Sequence, residues 1–438
     1  MLAAIGADTL LLLTFVVLMI IGTPIAVSLG MAGVVGIWAG LPPAMLGTVG
    51  TNVYSGIAKY PLIAIPLFVL TGLAFERSGV AQRLVDFASA CVGPRRGGLA
   101  VVAIMTCLIM GGMSGSGPAD AAAVATVMIP SMMRAGYPKA FSASVIAAAS
   151  STAILIPPSI ALIIYAVQVP GADIRALFAG GVVPGLLCGA AVLVPAILLS
   201  RKYDFGAKEG LDAANSPSIR TAFVRALPGL LAPVIILGGL RTGLFTPTEA
   251  AAVAASYGLL VGTVIYRNLG FGDVYRLLAE AGAMTAVIML IVSLAGIFAW
   301  AGSTLGAFSR TAEWLLTLSD QEMVILALIM VFLLIAGMLL DGISIYLITL
   351  PLLMPVVAVF DWNIVWFGIL MAMNIAIGQF TPPIAVNLMV TTRIAGIPIE
   401  WTFGWIAWMV LSMGTALVLV AVFPELALWL PRYLGFVV

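Results

Sequence analysis

A chain of apolar helices can vary almost anywhere except where it carries glycine and proline, and in this chain those places come twice. Shifted by 225 residues, Gly112-Met113 falls on Gly337-Met338, Gly117 on Gly342, Pro130 on Pro355, Pro157-Pro158 on Pro382-Pro383 and Gly171 on Gly396, without a gap. Further upstream, at a shift of 223, Thr23-Pro24 falls on Thr246-Pro247. Leucines and alanines match by chance in any apolar sequence, whereas helix-breaking residues rarely register this often at one shift. The chain therefore reads as an internal duplication, and whatever fold it adopts must be built twice.

Composition says in what solvent. Of 438 residues, 63% are hydrophobic and 8% charged, where soluble domains carry about 25% charged residues. Apolar runs near 20 residues recur along the whole length, as in a polytopic α-helical membrane protein. The longest polar stretch, RKYDFGAKEGLDAANSPSIRTAFVRA at 201–226, is only a loop. The opening MLAAIGADTLLLLTFVVLMIIG lacks a basic n-region and reads as a retained first helix. Spans are expected near 7–22, 24–41, 61–77, 139–168 and 174–200, and again near 227–244, 247–266, 280–302, 363–392 and 402–423.

Between the third and fourth span of each repeat lies an unusual segment, 97–135 and 322–360. The first contains GGMSGSGPADAAAV (111–124), a cluster of helix-hostile residues inside apolar sequence. Its arms, 98–112 and 118–134, are about 22 and 25 Å long at the helical rise, short of a ~30 Å hydrocarbon core. They read as a re-entrant hairpin, whose irregular tip is tolerated where protein or a water-filled cavity surrounds it. A hairpin does not change sides, so each repeat has five crossings and the second is inverted. Placing 76–96, 134–139, 201–226, 267–276 and 393–400 in the cytoplasm puts 14 of the 19 Lys and Arg inside, Lys208 among them. Both termini then lie in the periplasm. Two further segments, 79–93 and 304–318, place Val80, Leu84, Phe87 and Cys91, and Leu305, Phe308, Ala312 and Leu315, on single helical faces, as interfacial amphipathic helices do.

The fourth span of each repeat is interrupted by Pro-Pro, in AAASSTAILIPPSIALIIY (147–165) and MNIAIGQFTPPIAVNLMV (373–390). Two successive prolines unwind a helix and free carbonyls, as in the discontinuous helices of secondary transporters. Freed carbonyls and hydroxyls suit a small hard cation, and two related sodium sites are expected. One comprises Ser114, Gly115, Ser116, Ser151, Thr152 and Pro157, with Ser150 nearby. The other comprises Gly337, Asp341, Gly378, Thr381 and Pro382. Ser116, Gly117, Ser159, Gly342, Thr381 and Asn387 are the candidates for substrate contact. Asp120 stands where a carboxylate caps a helix N-terminus, Asp341 either caps its half-helix or adjoins a cation, and Glu249 fits a capping box. Neither the tips nor the breaks contain Arg or Lys, so an anionic substrate must be met by half-helix N-termini, hydroxyls and the cations themselves. Without histidine there is no Ser-His-Asp triad or His-based metal site. Cys91, Cys107 and Cys188 have no metal or redox spacing, and a net charge of +1 gives no footprint for nucleic acid.

The stretches GGMSGSGPADAAAVATVMIPSMMRAGY, ILIPPSIALIIY and IGQFTPPIAVNLMV resemble the large membrane subunit of tripartite ATP-independent periplasmic (TRAP) transporters, the DctM family. The second break reads PPIAVN, with Ala385 where the family often has glycine. The resemblance implies an all-α polytopic membrane protein of two inverted repeats, an elevator-type transporter of the ion-transporter superfamily kind. In that reading scaffold helices occupy 1–78 and 227–302, and amphipathic arms 79–94 and 303–321. A transport domain comprises 95–200, with hairpin 97–135 and broken helix 139–168, and 322–423, with hairpin 322–360 and broken helix 363–392. The loop 201–226 and a tail, 424–438, complete the chain. The resemblance also implies uptake of an organic acid, such as a C4-dicarboxylate or sialic acid, with two or more sodium ions across the bacterial inner membrane. Its implied partners are a small four-helix membrane subunit of DctQ type and a periplasmic substrate-binding protein of DctP type, besides membrane lipid. A stand-alone sodium/anion symporter shares the architecture. A channel would use re-entrant loops but does not call for a duplicated broken helix, and an enzyme would need a nucleophile–base pair or metal cluster that the sequence lacks.

Overall fold

The computed structural model describes residues 6–93, 95–206 and 218–438. Among them the chain is helical with no strand, and eight helices are long and apolar enough to cross a membrane. Lys208, counted above, lies outside the described residues. The first repeat runs α1 (Ala7–Ile20), α2 (Ile25–Gly40), α3 (Thr48–Ile57), α4 (Ala64–Arg77), α5 (Val80–Val92), α6 (Gly98–Ser114), α7 (Gly117–Arg134), α8 (Lys139–Ser151), α9 (Ile160–Gln168) and α10 (Ile174–Lys202). The second runs α11 (Ile219–Arg241), α12 (Pro247–Leu260), α13 (Phe271–Thr304), α14 (Ala307–Leu316), α15 (Glu322–Leu339), α16 (Gly342–Val359), α17 (Ile364–Gly378), α18 (Val386–Ala395), α19 (Phe403–Val422) and α20 (Glu425–Tyr433).

The duplication is visible in the packing. Helix α2 packs on α13 and its counterpart α12 on α4; α7 packs on α18 and α16 on α9; α10 packs on α17 and α19 on α8. Each of these contacts between the repeats thus has a twin with the roles exchanged, as a two-fold pseudo-axis requires. Pro157-Pro158 and Pro382-Pro383 are both cis.

The arms form where the amphipathic pattern puts them. Each starts after a glycine in the left-handed region, Gly79 (φ 77) before α5 and Gly306 (φ 71) before α14. A side chain there would be strained, so glycine lets the chain turn from an upright helix into the arm. The buried stripe of α5 is Val80, Ala81, Leu84, Val85 and Ala88, while Cys91 is exposed, contrary to the expected face. In α14 Ala307, Phe308 and Ala312 are buried, and Leu305 instead ends α13. Both arms are pinned to the membrane helices. Arg310 pairs with the nearly buried Asp8 of α1 at 2.7 Å, and the Arg83 guanidinium lies 3.7 Å over the Tyr266 ring.

Two boundaries differ from expectation, and two helices form where no span was expected. Helix α11 starts at 219 rather than 227, because the Ser218 hydroxyl accepts the Thr221 amide and opens the helix earlier. Helix α13 starts at 271 rather than 280, where Asp273 accepts the Gly270 amide. Helix α3 falls between the expected spans 24–41 and 61–77, where no element was assigned; its sequence TVGTNVYSGI is polar and short, yet Ser293 of α13 donates to the Val53 carbonyl and holds it. The tail contains α20, which packs on α10 and α17. Glu249 makes the expected capping box with Thr246.

Arm length alone does not establish the hairpins. Helices α15 and α16 have 18 residues each, about 27 Å at the helical rise, which approaches a spanning length. What marks them is where their tips end: each tip abuts a break in the middle of a broken helix, as follows.

Candidate substrate and ion site

The tip of the first hairpin is Ser114-Gly115-Ser116. Gly115 has φ +60, and a Cβ on it would lie 2.3 Å from the Pro158 carbonyl oxygen, so glycine is required on both counts. One turn back, a Cβ on Gly111 would lie 2.8 Å from Ala153 Cα. The tip is thus seated against the first break, where α8 ends at Ser151 and α9 restarts at Ile160. Hydroxyl oxygens of Ser151 and Thr152 donate back to Ala148 (2.7 Å) and Ala149 (2.6 Å), leaving their lone pairs free. Ser159 caps α9, accepting from the Leu162 amide and donating to the Ile154 carbonyl.

Asp120 does not cap α7. Its Oδ1 accepts from Ser114 Oγ at 2.6 Å, and Ser114 Oγ in turn accepts the Ser116 amide at 3.2 Å. The carboxylate is fully buried and its Oδ2 has no partner among the described residues. Asp120 is the fourth residue of α7, within its first turn rather than before it, and the residue that does precede the helix, Ser116, makes no side-chain cap.

The second tip is built differently. Leu340, the counterpart of Gly115, is extended (φ −120). Asp341 resolves its two readings as a cap: its Oδ2 accepts from the Ile343 and Ser344 amides, and its Oδ1 from Ser344 Oγ. In the second break, Gly337 and Gly378 touch backbone to backbone; a Cβ on Gly378 would lie 2.5 Å from Gly337 Cα. The Ile384 amide donates to the Met338 carbonyl at 3.3 Å, and Thr381 Oγ1 donates to the Ile377 carbonyl at 2.6 Å. Ala385 takes the left-handed conformation (φ 49) that glycine would take without strain.

The two halves meet at Gly117. A Cβ there would lie 2.8 Å from Gln379 Oε1 and 2.9 Å from Asn387 Nδ2, and one on Gly342 would lie 3.5 Å from Gln379 Nε2 and 4.0 Å from Ile154. Both tips and both breaks therefore converge. Beside them opens a cavity of about 380 Å³, at the low end for a small-molecule site. One wall is the tips, with Ser114, Ser116, Gly117, Asp341, Gly342 and Gln379; the facing wall is α4 and α13, through Val69, Leu73, Met284 and Ile288.

Of the sequence-based candidates, Ser114, Gly115, Ser116, Gly117, Asp341 and Gly342 line this cavity. Ser151, Thr152 and Pro157 belong to the break behind the first tip, and Gly378, Thr381 and Pro382 to the break behind the second, against which Gly337 of the hairpin helix α15 packs. Ser159, Thr381 and Asn387 are not on the cavity wall: Ser159 is occupied as a cap, Thr381 turns back onto its own helix, and Asn387 lies one layer behind Gly117. Sequence reasoning passed over Gln379 and Asn374. Among the described residues, Asp120 Oδ2, Asn374 Oδ1, Gln379 Oε1 and Asn387 Oδ1 are buried acceptors without a donor, all in the hairpin and broken helices. Buried acceptors are normally paired, and a set of unpaired oxygens suits a hard monovalent or divalent cation rather than a soft metal. No cluster of three His, Cys, Asp or Glu occurs among the described residues.

Repeated hairpins abutting repeated broken helices around a central cavity define a polytopic membrane transporter. Comparison with known proteins makes the assignment closer. Residues 12–426 match the family described as "Tripartite ATP-independent periplasmic transporter, DctM component", and the chain belongs to that family. It is 38% identical to the C4-dicarboxylate TRAP transporter large permease protein DctM of Pseudomonas aeruginosa, covering 93% of this chain and 94% of that one. It is 37% identical to the sialic acid TRAP transporter large permease protein SiaM of Vibrio cholerae, over 87% and 88% of the two chains. In fold it resembles the crystal structure of the Alcanivorax borkumensis YdaH transporter, with a TM-score of 0.61 at 17% identity, covering 88% of this chain and 89% of that one.

Proposed function

We infer that this chain is the permease of a sodium-coupled uptake system for a small organic acid, handed over by a periplasmic binding protein and supported by a small membrane subunit in the inner membrane, with both termini periplasmic. The set of unpaired buried oxygens behind the two hairpin tips carries this reading. A cation there would satisfy acceptors that otherwise remain desolvated at a cost. The ion would also supply positive charge to a cavity whose lining has no Lys or Arg, so the anion would bind well only with sodium in place, which is the essence of coupling. These unpaired oxygens of Asp120, Asn374, Gln379 and Asn387, with residues of the two breaks, Ser114, Ser116 and the tip carbonyls, are the proposed ion ligands.

For motion, the hairpins and broken helices would translate as one body against α1–α4 and α11–α13, an elevator. The contact between them suits sliding. Gly72 of α4 meets Ser114 with no side chain between, a Cβ there lying 3.3 Å away. Lys59 reaches across to the end of α9, donating to the Val167 carbonyl at 2.9 Å and Gln168 Oε1 at 3.4 Å. The test is uptake into proteoliposomes containing this chain, its small subunit and its binding protein. Uptake is expected only with an inward sodium gradient, and with more than one sodium per substrate. Equal uptake with potassium replacing sodium, and no proton gradient, rejects the reading; uptake by this chain alone selects a stand-alone symporter.

A further inference from the structure

We propose that the phosphate of an anionic phospholipid seats at the hinge of the arm α5, among Arg83, Arg225 and Arg267, and ties the arm to the helices beside it. A difference between the two arms carries this. In each arm an arginine stands four residues after the hinge glycine, Arg83 after Gly79 and Arg310 after Gly306. Arg310 has its anion within the chain, the Asp8 carboxylate of α1 at 2.7 Å. Arg83 has none. At the shift of 223, Asp8 falls on Leu231 of α11, and no ion pair among the described residues includes Arg83. The acid of α5, Asp86, accepts from Gln82 instead. The Arg83 guanidinium lies over the Tyr266 ring and donates to the Gly79 carbonyl at 2.9 Å, contacts that hold its charge in place without neutralising it.

Two more arginines adjoin the same ring. The Tyr266 hydroxyl donates to the Arg225 carbonyl at 2.8 Å, so α11 passes beside it. Arg267 follows Tyr266 directly in the left-handed region (φ 56), a conformation that is costly for a residue other than glycine and persists only where its surroundings impose it. Both arginines are exposed, and neither has a carboxylate partner among the described residues. Like charges grouped in this way favour an anion between them, and the guanidinium fork matches phosphate oxygens. The surroundings select a lipid. Val224 beside Arg225, and Leu260, Val264 and Ile265 just before Arg267, are exposed apolar side chains on two helices that pack together. A phospholipid sets its phosphate on the arginines and its acyl chains on this surface, and gains from both. A soluble phosphate gains only from the first. The bound lipid then does for the arm α5 what Asp8 does for α14.

The experiment is thermal unfolding of the purified full-length chain in neutral detergent with added dioleoyl phosphatidylglycerol, dioleoyl phosphatidylcholine or glycerol 3-phosphate, since a bound ligand raises Tm with its concentration over Kd. Phosphatidylglycerol is expected to raise Tm most, and glycerol 3-phosphate to leave it unchanged. Arg225→Gln combined with Arg267→Gln should weaken the apparent affinity for phosphatidylglycerol about thirtyfold, the effect of two surface cations. Arg276→Gln, at a residue 4.0 Å from Asp273, should leave it unchanged. Equal stabilisation by the two lipids, glycerol 3-phosphate matching phosphatidylglycerol, or a double variant with the wild-type response each overturns the proposal. Glu209 and Asp212 lie outside the described residues and could supply the anion from within the chain; if Glu209→Gln with Asp212→Asn tightens phosphatidylglycerol binding about tenfold or more, the loop fills the site in the native protein and the proposal fails. Should the arginine double variant not fold, a photoactivatable phosphatidylglycerol on the wild-type chain decides: labelling within 219–241 and 260–268 supports the site, and labelling only elsewhere overturns it.

Discussion

Replacing Gly378 with alanine tests whether the second break is held by backbone contact with its hairpin. The added methyl would lie 2.5 Å from Gly337 Cα and carbonyl carbon, and 2.8 Å from its oxygen. All three atoms are main chain, so no side chain can swing away, and α15 and α17 must part by about 1 Å to restore ordinary contact. Overpacking of this kind costs about 1–3 kcal/mol. Alanine's better helix propensity offsets at most about 1 kcal/mol at the last residue of α17, so a net loss of roughly 1–2 kcal/mol is expected. In the first repeat the equivalent position already holds Ala153, and there the room comes from Gly111 on the hairpin. The displacement falls on the proposed ligands around Thr381 and Gly337, so sodium should bind about tenfold more weakly, a loss of ~1.4 kcal/mol. Thermal unfolding of the purified chain across a NaCl series reads both effects: a lower Tm, and a stabilisation by NaCl that needs higher concentrations. Gly238→Ala is the control, since nothing lies within 4 Å of its Cβ position, and it should leave both curves unchanged or raise Tm. A Gly378→Ala protein with wild-type Tm and wild-type NaCl response would refute the argument.

Ala385→Gly should stabilise the chain by about 0.5–1 kcal/mol, because a left-handed alanine costs roughly 1–2 kcal/mol and glycine's extra unfolded-state freedom returns part of it; a lower Tm than wild type would contradict this. Lys59→Met removes the hydrogen bonds to Val167 and Gln168 that join the scaffold to α9. At about 0.5–1.5 kcal/mol for such a bond, the population of this arrangement should fall about 2–12-fold. Spin-label distances between α4 and α9 would report the shift, and an unchanged distribution would show that Lys59 holds nothing.

The chain's architecture was legible because its signals were of the right kind. Helix-breaking residues at one fixed shift gave the duplication, the hairpins and the breaks, and the amphipathic stripes of 79–93 and 304–318 gave the arms. Helix α3 escaped because it is short and polar, and its order comes from α13, more than 200 residues away. The ion and substrate candidates were read from hydroxyls and freed carbonyls, since those types stand out near prolines. Gln379 and Asn374 were equally visible as lone carboxamides in an apolar run, but only the fold shows that their oxygens end unpaired. Asp120 and Asp341 illustrate the limit: each lies near a helix start after a glycine-containing tip, yet Asp341 caps its own helix while Asp120 turns back to Ser114. Asp341 is the residue just before its helix whereas Asp120 is the fourth residue of its own, and this placement, with the difference between a left-handed Gly115 and an extended Leu340, decides between them.

The exchanged pairing of helices between repeats has a consequence for how the protein comes into being. Helices α2 and α4 pack against α13 and α12, and α7 and α9 against α18 and α16, so the first half enters the bilayer with the partners for its glycine-lined faces still unmade. At about 5–20 residues per second, the ribosome needs on the order of 10–50 s to supply the missing half. Throughout that interval the first hairpin, with Asp120 and its irregular tip, has no Gln379 or Asn387 to pack against. The nascent half must therefore be shielded by lipid, water or the insertion machinery until its twin arrives, and its assembly is a docking of two halves rather than a growth outward from the N-terminus.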